Sequence, residues 1–205
     1  MPLPPDLDAR VAAAADVLRR GGLVAYPTET FYGLGALARD AAALDRLARA
    51  KLRPEGKPLP LLAADLAQVK EVARLEGLAA RLAARFWPGP LTLVLPALPD
   101  LDAAITAGAG TVAVRVPGSE VARALARRAG GAIVSTSANL SGEPPPTTAA
   151  ELSPDLVARI DHVLDAGRTP GGRPSTIVEV AGDVLRLVRE GVIPLDAVRA
   201  ACVAA

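Results

Sequence analysis

The run Tyr26-Pro27-Thr28-Glu29-Thr30-Phe31-Tyr32-Gly33-Leu34-Gly35 constrains the fold most, because it breaks an apolar strand and crowds hydroxyls, a carboxylate and two glycines into ten residues. Leu23-Val24-Ala25-Tyr26 suits the inside of a sheet, and Pro27 ends its ladder by lacking an amide donor. Residues 28–35 then read as a loop, with Gly33 and Gly35 lifting the Cβ restriction where the chain turns toward a helical run at 41–51. Such a loop lies at the carboxyl end of a strand, where open α/β sheets place their ligands.

The rest of the chain alternates in the same way. Apolar spacing predicts a helix over 7–20, stopped by Gly21-Gly22, before the strand at 23–26. A short buried strand is expected at 59–62, helices at 66–73 and 78–86, and strands at 91–95 and 112–116. Pro117-Gly118 precedes a helix at about 119–129, and residues 132–134 run as a strand into a polar loop. A weaker helical segment at 149–160, strands at 162–164, 175–180 and 184–188, and a helix at 194–201 complete the pattern. Only Ala181-Gly182-Asp183 separates the last two strands, so they form a hairpin and the α/β sheet is mixed.

At 205 residues the chain can bury one substantial core, and one domain over 1–205 is expected. A net charge of +1 supplies no global field that demands nucleic acid, so an anion site must be local. No stretch approaches the roughly 18 apolar residues of a membrane span, and Met1-Pro2-Leu3-Pro4-Pro5 lacks the basic start of a signal peptide. The expectation is a cytoplasmic protein with no membrane partner. With one histidine and one cysteine, a zinc site of side-chain nitrogen and sulfur is not credible. His162 opens an apolar strand and Cys202 lies among alanines, so both read as structural.

Several loops carry the polar chemistry. Lys51-Leu52-Arg53-Pro54-Glu55-Gly56-Lys57-Pro58 places three cations in seven residues and is either an anion clamp or a solvated loop. Phe86-Trp87-Pro88-Gly89-Pro90-Leu91-Thr92 is a rigid aromatic corner, better suited to packing than to ligand contact. Arg115 ends a strand in which Val112, Val114 and Val116 share one face, so its side chain leaves from the other. A charge there needs a partner, which is either a ligand or a structural ion pair. Ser135-Thr136-Ser137-Ala138-Asn139-Leu140-Ser141-Gly142 offers hydroxyls and small residues that let backbone amides reach an anion, or simply forms a hydroxyl-rich turn. It lacks the Gly-Lys-Ser/Thr ending of a Walker loop, and no Gly-x-Ser-x-Gly elbow is present for serine hydrolysis.

Taken in order, these segments resemble the YrdC-like threonylcarbamoyl-AMP synthases. The resemblance rests on the opening run, Lys51-x-Arg53-Pro54 with Lys57-Pro58-Leu59, Trp87-Pro88-Gly89-Pro90-Leu91-Thr92, and Thr111-Val112-Ala113-Val114-Arg115-Val116-Pro117. Ser135 to Gly142, Pro174-Ser175-Thr176-Ile177 and Leu187-Val188-Arg189-Glu190-Gly191 complete it over about residues 10–193. It implies a twisted mixed sheet flanked by helices and enclosing a basic cavity. It also implies an enzyme that joins L-threonine, bicarbonate and ATP, with Mg2+ on the phosphates, into L-threonylcarbamoyl-AMP and pyrophosphate. The product would feed tRNA modification through downstream threonylcarbamoyl-transferase proteins. By matching position, Thr30, Arg115 and Ser175, with the Ser135 backbone, are expected to hold threonine. Arg53, Lys57, Thr111, Ser137, Thr147 and Arg189 are expected on the ATP side, with Asn139 shaping the hydroxyl loop.

The chain departs from the family pattern at Leu62, where many members carry a histidine, and at Pro145 and Pro174, where serine and glutamate are familiar. The expectation is the short, single-domain subtype, without the further domain of the long one. Two other readings stand beside the synthase. One is a paralogue that binds tRNA or double-stranded RNA without synthase activity. The other is a carbamoyl-adenylate activity on a different acceptor.

Overall fold

The computed structural model describes residues 3–52 and 56–203. In chain order the elements are α1 (Pro5–Arg19), β1 (Val24–Pro27), β2 (Tyr32–Gly35), α2 (Ala41–Ala50), β3 (Leu61–Leu62), α3 (Leu66–Lys70), α4 (Gly77–Phe86) and β4 (Leu91–Pro96). Then come α5 (Ala103–Thr106), β5 (Thr111–Arg115), α6 (Glu120–Ala129), β6 (Ile133–Val134), β7 (Thr136–Ser137), a 3-10 turn (Ala149–Glu151) and α7 (Pro154–Val157). The chain ends with β8 (His162–Val163), β9 (Thr176–Ala181), β10 (Val184–Arg189) and α8 (Leu195–Val203).

Local chemistry sets these boundaries. Pro5 opens α1, where its missing amide costs nothing, and Asp6 and Asp8 lie in the first turn against the helix dipole. Val11, Ala14, Ala15 and Leu18 face inward at helical spacing. The Asp40 carboxylate accepts from the Ala43 amide to cap α2, and the Ser119 hydroxyl accepts from the Ala122 amide to cap α6. At 149–160 the structure breaks the expected helix in two, because Pro154 holds Ser153 extended at ψ 131°. The short α5 was not expected; Asp102 caps it through the Ala104 amide.

The opening loop is in fact a hairpin. Pro27 is the last residue of β1, still paired with Tyr32, and β2 runs back antiparallel along β1. Gly33 and Gly35 sit inside β2 and make room for a ring. A Cβ on Gly35 would lie 2.8 Å from Tyr26 Cε1, and one on Gly33 would lie 3.3 Å from Tyr26 Cζ. These glycines therefore serve close packing inside a strand.

The strands form two mixed sheets instead of the single one expected. Their orders are β7-β2-β1-β8 and β10-β9-β4-β5-β3-β6. The last hairpin, β9–β10, is antiparallel as expected. The division arises at residues 133–137, where β6 pairs with β3 in one sheet and β7 pairs with β2 in the other. Ser135 stands at the crossing, with its amide on the Pro60 carbonyl at 2.8 Å. The Val134 amide bonds the Ala36 carbonyl at 2.8 Å and joins the two sheets along this seam.

Two apolar clusters result. The larger gathers Leu34, Leu44, Leu61, Leu82, Leu93 and Val114, and the smaller lies beneath α1 and α6 around Leu18, Tyr26, Leu62, Leu125 and Ile133. Leu61 and Leu62 are successive strand residues, so they point into opposite clusters. Leu62, at the family's histidine position, is fully buried and serves packing. Among the described residues no helix is long and apolar enough to cross a membrane.

Candidate active site

The Thr28–Phe31 turn of the first hairpin is built around one hydroxyl. Thr28 Oγ1 donates to the Phe31 carbonyl at 2.7 Å, accepts from the amides of Thr30 and Phe31, and lies 3.1 Å from Thr30 Oγ1. Both threonines are buried. The Thr30 carbonyl accepts from the Gly171 amide at 2.8 Å, which ties the turn to the 165–171 segment.

Glu29, at the tip of this turn, reaches the end of β5. Arg115 Nη1 donates to Glu29 Oε1, and the two side chains are only 8% and 17% exposed. Of the two readings open for Arg115, the ion pair is therefore present. Glu29 Oε2 is fully enclosed and meets no hydrogen-bond donor among the described residues.

Beside Arg115 lies a second group. Leu93 pairs with Val114, so Thr92 and Arg115 occupy the next step along β4 and β5. Thr92 Oγ1 and Ser175 Oγ are 2.9 Å apart. Arg189 Nη2 donates to the Ser175 carbonyl at 3.0 Å and approaches Ser175 Oγ at 3.3 Å. Arg189 is an exposed residue overall, but partial desolvation of its guanidinium, and then the nearby positive charge of Arg115, holds that group below its usual pKa.

Arg189 is held there by a latch. Thr176 Oγ1 donates to the Ile193 carbonyl at 2.6 Å and accepts from the amides of Gly191 at 2.9 Å and Ile193 at 3.0 Å. Gly191 must lack a side chain, since a Cβ would fall 2.1 Å from the Pro174 carbonyl oxygen.

The hydroxyl loop adjoins β2, where Ser137 pairs with Gly33. Lys51 is buried, and its ammonium donates to the carbonyls of Ser137 and Asn139. That cation thus organises the loop. The Ser141 hydroxyl bonds the Lys51 carbonyl at 3.1 Å, and Asn139 Nδ2 donates to the carbonyls of Leu140 and Glu143, each at 2.8 Å. The Tyr26 hydroxyl donates to the Val134 carbonyl at 3.2 Å and links this loop to the first hairpin. Burial raises the Tyr26 pKa strongly, opposed by its bond with Ser135 and by Arg115.

The structure therefore brings Thr30, Arg115, Ser175 and Arg189 toward one another, with Ser135, Ser137 and Asn139 on the adjoining loop. Thr147 packs on Gly171, while its hydroxyl engages Glu151 at 3.0 Å and receives Arg168 Nη1 at 2.9 Å. Thr111 stands apart at the other end of β5, roughly 13 Å along the strand from Arg115. Lys57 lines a cavity of ≈ 610 Å³ with Arg49, Leu52, Leu59 and Ala104, and that lining includes none of Thr30, Arg115, Ser175 or Arg189. Arg53 lies outside the described residues.

Outside the clustered candidates, Trp87 packs on the core and donates Nε1 to the Leu91 carbonyl at 2.6 Å, as its packing role requires. Sequence pattern alone assigned no role to Thr28, Glu29, Thr92 or Thr176. Glu29 carried a usable signal, being a carboxylate at a strand end in a chain whose strand arginine needs a partner. Thr176 carried none, because its role depends on where residues 191–193 return.

The Sua5, YciO and YrdC family model, described as "Telomere recombination", matches residues 16–191. Threonylcarbamoyl-AMP synthase of Bacillus subtilis is 43% identical over 195 residues, which make up 94% of this chain and 56% of that protein. The enzyme of the same name from Thiobacillus denitrificans is 45% identical over 171 residues, 82% of this chain and 90% of that one. The crystal structure of P. abyssi Sua5 complexed with L-threonine superposes with a TM-score of 0.89 at 40% identity, covering 95% of this chain and 57% of that one. The chain thus spans a little over half the length of the Bacillus and Pyrococcus proteins. With a family model matched over residues 16–191 and with this extent of identity, the chain belongs to the Sua5, YciO and YrdC family.

Proposed function

We propose that this chain is the catalytic part of an L-threonylcarbamoyl-AMP synthase, converting L-threonine, bicarbonate and ATP to L-threonylcarbamoyl-AMP and pyrophosphate. The observation that carries the reading is the convergence of the buried Arg115 guanidinium and the more open Arg189 guanidinium with one carboxylate and the Thr92–Ser175 hydroxyl pair. One carboxylate against two guanidiniums leaves positive charge suited to the carboxylate of an amino acid and to phosphate oxygens.

In this reading threonine's amine captures carbon dioxide as a carbamate. A carbamate oxygen then attacks the α-phosphorus of ATP, and pyrophosphate leaves in line. Neither step needs a covalent enzyme nucleophile, and charge stabilisation with positioning suffices. Thr30, Arg115, Ser135 and Ser175 hold the amino acid. Arg189, Ser137 and Thr147 face the nucleotide, with Ser137 on a loop that Lys51 and Asn139 keep in shape. The same basic groups would wall a common cavity. Arg53, Lys57 and Thr111 complete the nucleotide side by family position, and their variants test how far that side extends.

Among the described residues no group of three or more His, Cys, Asp or Glu is placed to hold a metal. Arginines and hydroxyls instead suit a nucleotide that brings Mg2+ on its own phosphates, so MgATP enters as substrate. The product would pass to a transferase acting on tRNA.

The test is pyrophosphate release with ATP, bicarbonate and a panel of amino acids. Release should require bicarbonate and favour L-threonine over L-serine by about 1 to 3 kcal/mol, the value of one enclosed methyl. Equal turnover with every amino acid, or none with threonine, would reject the reading.

A further inference from the structure

The Arg115–Glu29 contact leaves one atom unexplained. Arg115 holds Oε1 of Glu29, while Oε2 is enclosed and lacks a donor among the described residues. A charged oxygen removed from water without a hydrogen bond is costly. A purely structural pair would remove that cost by the side-on geometry in which a guanidinium bonds both carboxylate oxygens. Here the carboxylate is turned so that one oxygen stays free. The turn itself is fixed, since Thr28 bonds its amides and carbonyl and Gly118 packs beside the Glu29 stem.

The neighbouring groups narrow what Oε2 awaits. Thr92 and Ser175 bond each other, and Arg189 donates to Ser175, so these hydroxyls and guanidiniums serve an anion. An α-amino acid also presents N–H donors next to its carboxylate. Glu29 is the carboxylate in contact with this cluster.

We propose that Glu29 is the receptor for the substrate's α-nitrogen, with Oε2 accepting an N–H from it while Arg115, steadied by Oε1, takes the α-carboxylate. This rests on the reading that the site binds an amino acid. The pair then forms a fixed mirror of the zwitterion, carboxylate to nitrogen and guanidinium to carboxylate. Ammonium, free amine and carbamate nitrogen each keep at least one N–H, so the contact can persist as the nitrogen acquires its carboxyl group. Glu29 is thus a specificity residue for the amino group, separate from discrimination of the methyl.

Titration calorimetry of the wild-type chain with L-threonine and with (3R)-3-hydroxybutanoate, which is threonine without its amino group, reads the contact directly. Wild type should bind threonine roughly 10- to 100-fold more tightly, the range of a charge-assisted hydrogen bond. Equal binding of the two would overturn the proposal. In Glu29→Gln the amide can present its oxygen to Arg115 or to the ligand, not to both, so the preference should fall toward unity. Glu29→Asp keeps the charge but is too short to span both partners, and it should lose the preference as well if the Gln variant fails to fold. A preference retained in either folded variant would overturn the assignment. No threonine binding to wild type would instead remove the proposed function, and this assignment with it.

Discussion

Replacing Thr176 with valine tests whether the latch at 189–193 creates the proposed nucleotide side of the site. Thr176 is fully buried, and valine matches its shape while removing the hydroxyl. Three hydrogen bonds disappear, to the Ile193 carbonyl and from the amides of Gly191 and Ile193. At a net value of about 1 kcal/mol each, their sum is about 3 kcal/mol. Two effects act on that figure in opposite senses. Amides left facing a methyl add a desolvation cost, while Glu190 and Val192 are exposed, so the segment can swing into water and recover part of it. The expected loss is about 2 to 4 kcal/mol. For a chain of this size that lowers the melting temperature by roughly 5 to 15 °C. Swinging out also carries Arg189 away from Ser175. Calorimetry of the folded variant, well below its transition, should therefore show ATP binding weakened by at least about tenfold, as expected for a lost contact between charged groups. An unchanged melting temperature would refute the hydrogen-bond account. A lowered melting temperature with intact ATP binding would show that the latch stabilises the fold without positioning Arg189.

Arg115→Lys keeps the charge but loses the planar fork, so threonine affinity should drop by about 2 kcal/mol or more, with ATP binding measured alone preserved; intact threonine binding with reduced thermal stability would make the Glu29 pair purely structural. Gly35→Ala forces a Cβ to within 2.8 Å of the Tyr26 ring and should cost about 1 to 3 kcal/mol in urea denaturation, whereas Gly131→Ala, with nothing within 4 Å, should be neutral. Tyr32 has its pKa pushed up to about 12 by burial and by its bond to Asp165, and Tyr26 is raised as well. In the unfolded chain both ionise near pH 10, so the folded state holds protons that the unfolded state has released. Their contribution is complete below about pH 10 and is lost as pH rises through about 12. Phenolate absorbance should therefore be absent from the folded protein at about pH 10 and present in the urea-unfolded protein, and its appearance in the folded state would refute the burial argument.

The sequence was readable where local periodicity and capping act alone. The expected helices near α1, α2, α4 and α6 form with displaced ends, because Asp40, Ser119 and Gly21 mark their limits through nearby side-chain bonds or positive φ. The hairpin hidden in the opening run was not readable. Its return strand contains Gly33 and Gly35, which argue against a strand until the Tyr26 ring is known to lie above them. The same holds for Lys51. Three cations in seven residues look alike in sequence, and only the fold shows that Lys51 points inward to the carbonyls of Ser137 and Asn139. Motif order located Arg115, Ser175 and Arg189. It did not identify their protein partners, because Glu29 comes from a turn of one sheet and Thr92 from a strand of the other, and both reach the arginines' neighbourhood only when the chain folds.

These partnerships explain how a chain with so little net charge can build a local anion site. Arg115 and Arg189 are drawn together although the charge of Arg189 is disfavoured first by partial desolvation and then by Arg115. The structure offsets the strain by means that leave the guanidiniums available. Glu29 balances only part of the charge, through one oxygen, and Ser175 offers Arg189 neutral acceptors, its carbonyl and its hydroxyl. Strand geometry and the Thr176 latch, not charge pairing, hold the cluster closed. In the proposed site an entering anion would meet donors already oriented, Arg115 buried and Arg189 partly open to solvent, and its binding would relieve a repulsion established during folding. On this view anionic ligands should stabilise the protein through the same groups that bind them, and the stabilisation should vanish when the latch is cut at Thr176.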